Sequence, residues 1–130
     1  MMSKKLKSLI SIFLAAIWIS ISEFTRNEFL LKSYWVSHYT GMGLVFPDEP
    51  MNGAMWGVWA LVFSVLIYII AGKFTLAETT FLSWFFGFVL MWLVIGNLGV
   101  LPFVILYAAV PISLLEAFIA SLIIFKVNPK

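Results

Sequence analysis

Cysteine is absent, histidine occurs once, and charge of either sign is scarce: Asp, Glu, Lys and Arg make up 11% of the 130 residues. Without thiols there are no disulfides, thiolate metal sites, iron–sulfur clusters or cysteine nucleophiles. A soluble domain carries about 25% charged residues, so this chain has too little polar surface to cover a globule in water. The single His38 has only Asp48 and Glu49 as distant company and lacks the short ligand spacing of a zinc or di-iron site, so no metal is expected. Phosphate-binding glycine loops, nucleophile elbows and HExxH are missing as well, and no cofactor is expected. The net charge of +2 comes mostly from lysines at the chain ends and forms no basic face, so nucleic acid is not an expected partner.

What the chain has instead is apolar length. With 63% hydrophobic and 18% aromatic residues, it divides into four runs near the ~20 residues that cross a bilayer, at about 8–24, 54–72, 79–99 and 103–125. Backbone exposed to lipid must be satisfied within its own segment, so each run is expected to be a helix. The first run follows Lys4, Lys5 and Lys7 and ends near Ser20-Ile21-Ser22. That pattern also fits a cleaved signal peptide, but the length and Trp18 favour a retained span.

Residues 1–130 therefore read as one membrane domain, an all-α transmembrane four-helix bundle. Placing both termini in the cytoplasm puts Lys4, Lys5, Lys7, Lys73, Lys126 and Lys130 inside and only Arg26 and Lys32 outside, as the positive-inside rule requires. Tight turns join the last three spans, and a long extracytoplasmic loop, 25–53, follows the first. Its opening half lacks proline and glycine and carries apolar residues at helical spacing, so it either extends the first helix or lies on the membrane as an interfacial helix. Pro47-Asp48-Glu49-Pro50 turns the chain back.

Small residues recur every four positions: Gly53, Gly57, Ala60 and Ser64 on the second span, and Ala109, Ser113, Ala117 and Ser121 on the fourth. Such stripes let helices approach closely within a monomer or across a homo-oligomer.

Polar residues inside a span are the candidate ligand-binding groups, because burying a charge there costs on the order of 3 kcal/mol. Glu116 lies roughly 20 Å along the fourth span at 1.5 Å per residue. That depth places it in the inner half, where Tyr68, Ser83, Trp84 and Ser11 are the expected hydrogen-bond partners and Lys7 or Lys73 could pair with it. A second cluster, Glu23, Arg26, Asn27 and Glu28, is expected at the outer end of the first helix, with Asn97 at similar depth. Glu23 pairs there with Arg26 at i,i+3 and with Asn27 at i,i+4.

Glu23-Phe24-x-Arg26-Asn27-Glu28, Lys32-Ser33-Tyr34-Trp35, Asn52-Gly53-x-x-Trp56-Gly57, Gly87-Phe88-Val89-Leu90-Met91-Trp92 and Asn97-Leu98-Gly99-Val100-Leu101-Pro102 together resemble a group of small bacterial four-helix membrane proteins with no assigned activity. The resemblance implies the fold and a bacterial inner membrane, and brings no catalytic residues. The functional expectation is a non-enzymatic membrane binding or accessory protein. It would engage membrane lipids, a lipid-like ligand or a larger membrane complex. The alternative is a small transporter or channel subunit that uses Glu116 as a titrating group.

Overall fold

Three of the helices start where the sequence supplies a side-chain cap. In the computed structural model, which describes residues 2–129, the Ser3 hydroxyl accepts from the Leu6 amide at 3.1 Å to open α1 (Lys4–Phe24). Helix α1 does not stop at its expected boundary. It continues as a π-helix over Thr25–Leu30, and the break comes at Leu31, before the short α2 (Lys32–Gly41). The opening half of the long loop is thus divided: residues 25–30 extend the first helix and residues 32–41 form a helix of their own.

Glu49 and Asn52 form a capping box, with Pro50 in the first turn, to start α3 (Pro50–Ala71). Proline costs nothing there, since the first amides have no intrahelical acceptor. Thr75 and Glu78 form a second capping box for α4 (Leu76–Trp84). A π-helical segment at Phe85–Val89 joins α4 to α5 (Leu90–Asn97). Gly99 then turns the chain with φ +80°, a conformation that favours glycine. A 3-10 turn at Phe103–Ile105 leads into α6 (Leu106–Val127), which runs through Pro111 unbroken.

Four stretches are long and apolar enough to cross a membrane: Lys4–Leu30, Pro50–Ala71, Leu76–Asn97 and Phe103–Val127. No strand occurs among the described residues. Helices α1, α3, α4 and α6 pack on one another. The small-residue stripe of α6 is used in full, with Ala109, Ser113, Ala117 and Ser121 all buried. Of the stripe on α3, Ala60 and Ser64 are buried, while Gly53 and Gly57 face open space. Large side chains such as Phe13, Ile17, Val62 and Phe81 stay more than half exposed, as expected for helices whose outer solvent is lipid.

At one end of the bundle the Asn128 amide donates to the Ser8 hydroxyl, which also accepts from Tyr68 at 2.8 Å. Helices α1 and α6 are therefore antiparallel. At the opposite end, here termed the loop end, His38 Nε2 lies 2.8 Å from the Gly99 carbonyl and ties α2 to the α5–α6 turn. Lys32 bridges Glu28 at 3.0 Å and Asp48 at 3.1 Å. Trp35, Tyr39 and Phe46 make tilted and edge-to-face ring contacts with one another.

Candidate functional site

The extra turn of the first helix decides what faces Glu116. Thirteen residues in from the expected end of the first span is Ser11. From the observed end at Leu30, the same count reaches the neighbourhood of Trp18. The Trp18 indole indeed donates to the Glu116 carbonyl at 3.0 Å. Glu116 thus stands level with the middle of α1 and not with the Ser11 turn.

Two of the expected partners are engaged elsewhere. Tyr68 is bonded to Ser8 at the terminal end, and Trp84 donates to Ser113 at 2.9 Å. Ser83 is fully buried with no hydrogen-bond partner among the described residues. Lys7 and Lys73 form no ion pair with Glu116, whose cation is Arg26.

The two expected clusters are one. Arg26 donates from one terminal nitrogen (Nη2) to Glu23 Oε2 at 2.6 Å, and the other (Nη1) stands 3.7 Å from Glu116 Oε1. The direction of side chains on a helix explains the meeting. Each Cβ tilts toward the N-terminus of its own helix. Arg26 and Glu23 therefore lean from α1 toward the middle of the bundle, while Glu116 leans from the antiparallel α6 toward the loop end. Eight residues separate Trp18 from Arg26, about 12 Å at 1.5 Å per residue, a gap the two long side chains close between them.

The π-helix sets the aim of Arg26. The Leu31 amide donates to the Arg26 carbonyl at 2.9 Å, a bond five residues long, and the widened turn changes the direction of the residues it contains. Segments of this kind are frequent at functional sites. The second π-helical segment supplies Phe88, fully buried, whose ring lies 5.2 Å from the guanidinium carbon of Arg26. Phe88 in turn contacts Trp59, Phe63 and Trp92, with ring centroids within 6 Å. A desolvated contact between a guanidinium and an aromatic face contributes about 2 kcal/mol.

Burial of the cluster is nearly complete: Glu116 is 0% exposed, Glu23 4% and Arg26 5%. Hydrogen bonding is not. Asn27 donates to Glu23 Oε2 at 3.0 Å, but Glu23 Oε1, Arg26 Nη1 and both carboxylate oxygens of Glu116 have no hydrogen-bond partner among the described residues. Ser113 gives its proton to the Val110 carbonyl and Trp18 gives its own to backbone, while the Ser22 hydroxyl stands near Glu116 and the buried hydroxyls of Thr79 and Ser83 are unfilled. Two carboxylates against one guanidinium leave a formal charge of −1.

Glu28 stands apart from this cluster, paired with Lys32. Asn97 is exposed at the end of α5 and shares no hydrogen bond with the cluster among the described residues. His38 is bound to the Gly99 carbonyl. Sequence reasoning missed Trp18, Phe88 and the contact between Arg26 and Glu116. The stretch free of proline and glycine allows an extension of the first helix, which residues 25–30 show, but the expected depth of Glu116 is counted from the shorter span.

A second feature lies on the lipid-facing side. An open groove of about 540 Å³ runs between α3 and the α4–α5 span, lined by Trp59, Val62, Phe63, Phe86, Leu90 and Val94 among others. Gly87 is what lets Phe63 form its floor, because a Cβ there would lie 2.6 Å from that ring.

No family model, curated protein or solved structure matches the chain.

Proposed function

We propose that this chain is a non-enzymatic integral membrane protein of the bacterial inner membrane, with both ends in the cytoplasm, that binds a lipid-like ligand within the bilayer, alone or within a larger membrane complex. The groove between α3 and the α4–α5 span carries the reading. Its volume of about 540 Å³ falls within the roughly 300–1,000 Å³ of small-molecule sites, and its lining of apolar and aromatic side chains suits an acyl or prenyl chain. The ionisable groups support a binding role over catalysis. Glu23, Arg26 and Glu116 are enclosed, while Glu28, Lys32 and Asp48 are tied up in ion pairs.

Native mass spectrometry from mild detergent tests this. A bound amphiphile should be retained by the wild type and lost in Leu90→Trp, which fills the groove from its exposed rim, with unfolding midpoint unchanged. Retention of the same mass by Leu90→Trp would refute the groove as its seat.

A second reading, a small transporter or channel subunit in which Glu116 titrates, draws support from one observation: a fully buried carboxylate without hydrogen bonds sits midway along a span, beside a second carboxylate. Proton-coupled flux in liposomes that survives Glu116→Gln unchanged would end that reading.

A further inference from the structure

We propose that Glu23, Arg26 and Glu116 form a binding site for one compact monovalent cation, held by the carboxylate oxygens that the protein leaves free. The inference concerns the same cluster as the transporter reading, but it needs no transport and is independent of the groove.

Hydrogen-bonding capacity gives the sign of the ligand. Three buried oxygens, Glu23 Oε1 and Glu116 Oε1 and Oε2, lack a donor among the described residues, and the other buried unfilled groups are Arg26 Nη1 and the Thr79 and Ser83 hydroxyls. Native proteins rarely leave buried polar atoms unpaired, and four in one cluster of three side chains point to a missing partner. An anion would meet two carboxylates, and the one guanidinium is already committed to Glu23 at 2.6 Å.

Charge gives the valence. The formal charge of −1 becomes zero with a single positive charge, whereas a divalent ion would leave +1 in a low-dielectric interior, where an uncompensated charge is strongly unfavourable. Among the described residues no other ionisable group pairs with the cluster. Helix α1 contributes Ser22, Glu23 and Arg26 around Glu116. The buried residues of α4 are the neutral Thr79, Thr80 and Ser83, those of α3 include Phe63 and Ser64 and no charged group, and the segment between α4 and α5 buries Phe88. The nearest remaining acid, Glu28, is neutralised by Lys32.

Enclosure limits the size. With Glu116 at 0% exposure and its neighbours at 4% and 5%, the site suits a bare ion and not an organic ammonium. A proton and an alkali ion share this chemistry, and experiment separates them.

The purified full chain in lipid nanodiscs is assayed in two arms. In the first, equilibrium binding of radiolabelled sodium is measured at fixed pH, with choline holding ionic strength constant. In the second, sodium-free protein is scanned over pH by infrared difference spectroscopy for the carbonyl stretch of a neutral carboxylic acid. One arm should show saturable uptake of one cation per chain. Glu116→Gln and Glu23→Gln should each abolish it or weaken it by at least about tenfold.

Absence of saturable uptake in both arms of the wild type overturns the inference, as does uptake unchanged in both variants. The wild-type measurement decides alone if either variant fails to fold. A retained amphiphile with no cation uptake would sink this inference and leave the groove reading standing.

Discussion

Replacing Arg26 by Met should destabilise the protein far more than replacing Glu116 by Gln, although both remove one member of the same triad. Arg26→Met strands two buried carboxylates. Removing one partner of a buried pair costs about 3–5 kcal/mol, because the remaining charge loses its compensation. It also removes the bond to Glu23 at 2.6 Å and the contact with Phe88 at 5.2 Å.

Glu116→Gln is different in kind. Attraction across the 3.7 Å to Arg26 is lost, worth about 4 kcal/mol at an effective dielectric of 20. Against that, the surplus negative charge disappears, together with repulsion from Glu23 and several kcal/mol of desolvation for one ion. The balance is within about 1 kcal/mol of the wild type, and the remaining Glu23–Arg26 pair is neutral. Equilibrium unfolding in mixed micelles, followed by tryptophan fluorescence, should therefore separate the two variants by at least about 2 kcal/mol. A double-mutant cycle should give a larger coupling for Arg26 with Glu23 than with Glu116. Equal losses for Arg26→Met and Glu116→Gln, or a larger coupling to Glu116, would refute the charge argument.

Gly87→Ala should cost about 1–3 kcal/mol by overpacking, since the new Cβ would fall 2.6 Å from the Phe63 ring; a shifted emission spectrum, from the Trp59 ring 5.0 Å away, would report the displaced floor. Tyr68→Phe should lose only the bond to Ser8, about 1 kcal/mol, and leave the Arg26–Glu116 coupling intact; a changed coupling would contradict the separation of these groups. His38→Ala should cost about 0.5–1.5 kcal/mol and speed hydrogen exchange selectively in α2 and the Gly99 turn, which it ties together. Lys32 is held above the ordinary lysine range, first by its hydrogen bond to Glu28 and then by that to Asp48. A raised value in the folded state means that these bridges stabilise at neutral pH and lose their effect as pH climbs through the alkaline lysine range. Lys32→Met should remove that alkaline slope, and high salt should mute it.

Hydropathy made the four spans legible, because about twenty apolar residues in a row have few alternatives in a chain with so little charge. The packing stripe of α6 was legible for a similar reason, as small residues at four-residue spacing leave little else to do in lipid. The site was legible only in pieces. Glu23, Arg26 and Asn27 were grouped by local helical spacing, which the structure keeps. Glu116 was assigned to the wrong neighbours because its depth was counted from a helix end placed at residue 24, where the polar run Glu23–Glu28 begins. Charged residues normally mark the edge of a span, but here they continue inside a helix by pairing with one another and with α6. The Gly53 and Gly57 stripe was overread for a complementary reason. Spacing identifies a surface that can accept a helix, not whether this chain supplies one.

The burial of Arg26 also bears on how such a chain is oriented during insertion. A guanidinium neutralised by Glu23 and Glu116 is not a free loop cation, so in the orientation proposed above six lysines on the terminal side stand against Lys32 alone. The long loop is then almost without cations of its own. Adding two or three lysines between Gly41 and Pro47 should be enough to erode the orientation preference of the whole bundle, while the same charges added beyond Lys126 should reinforce it.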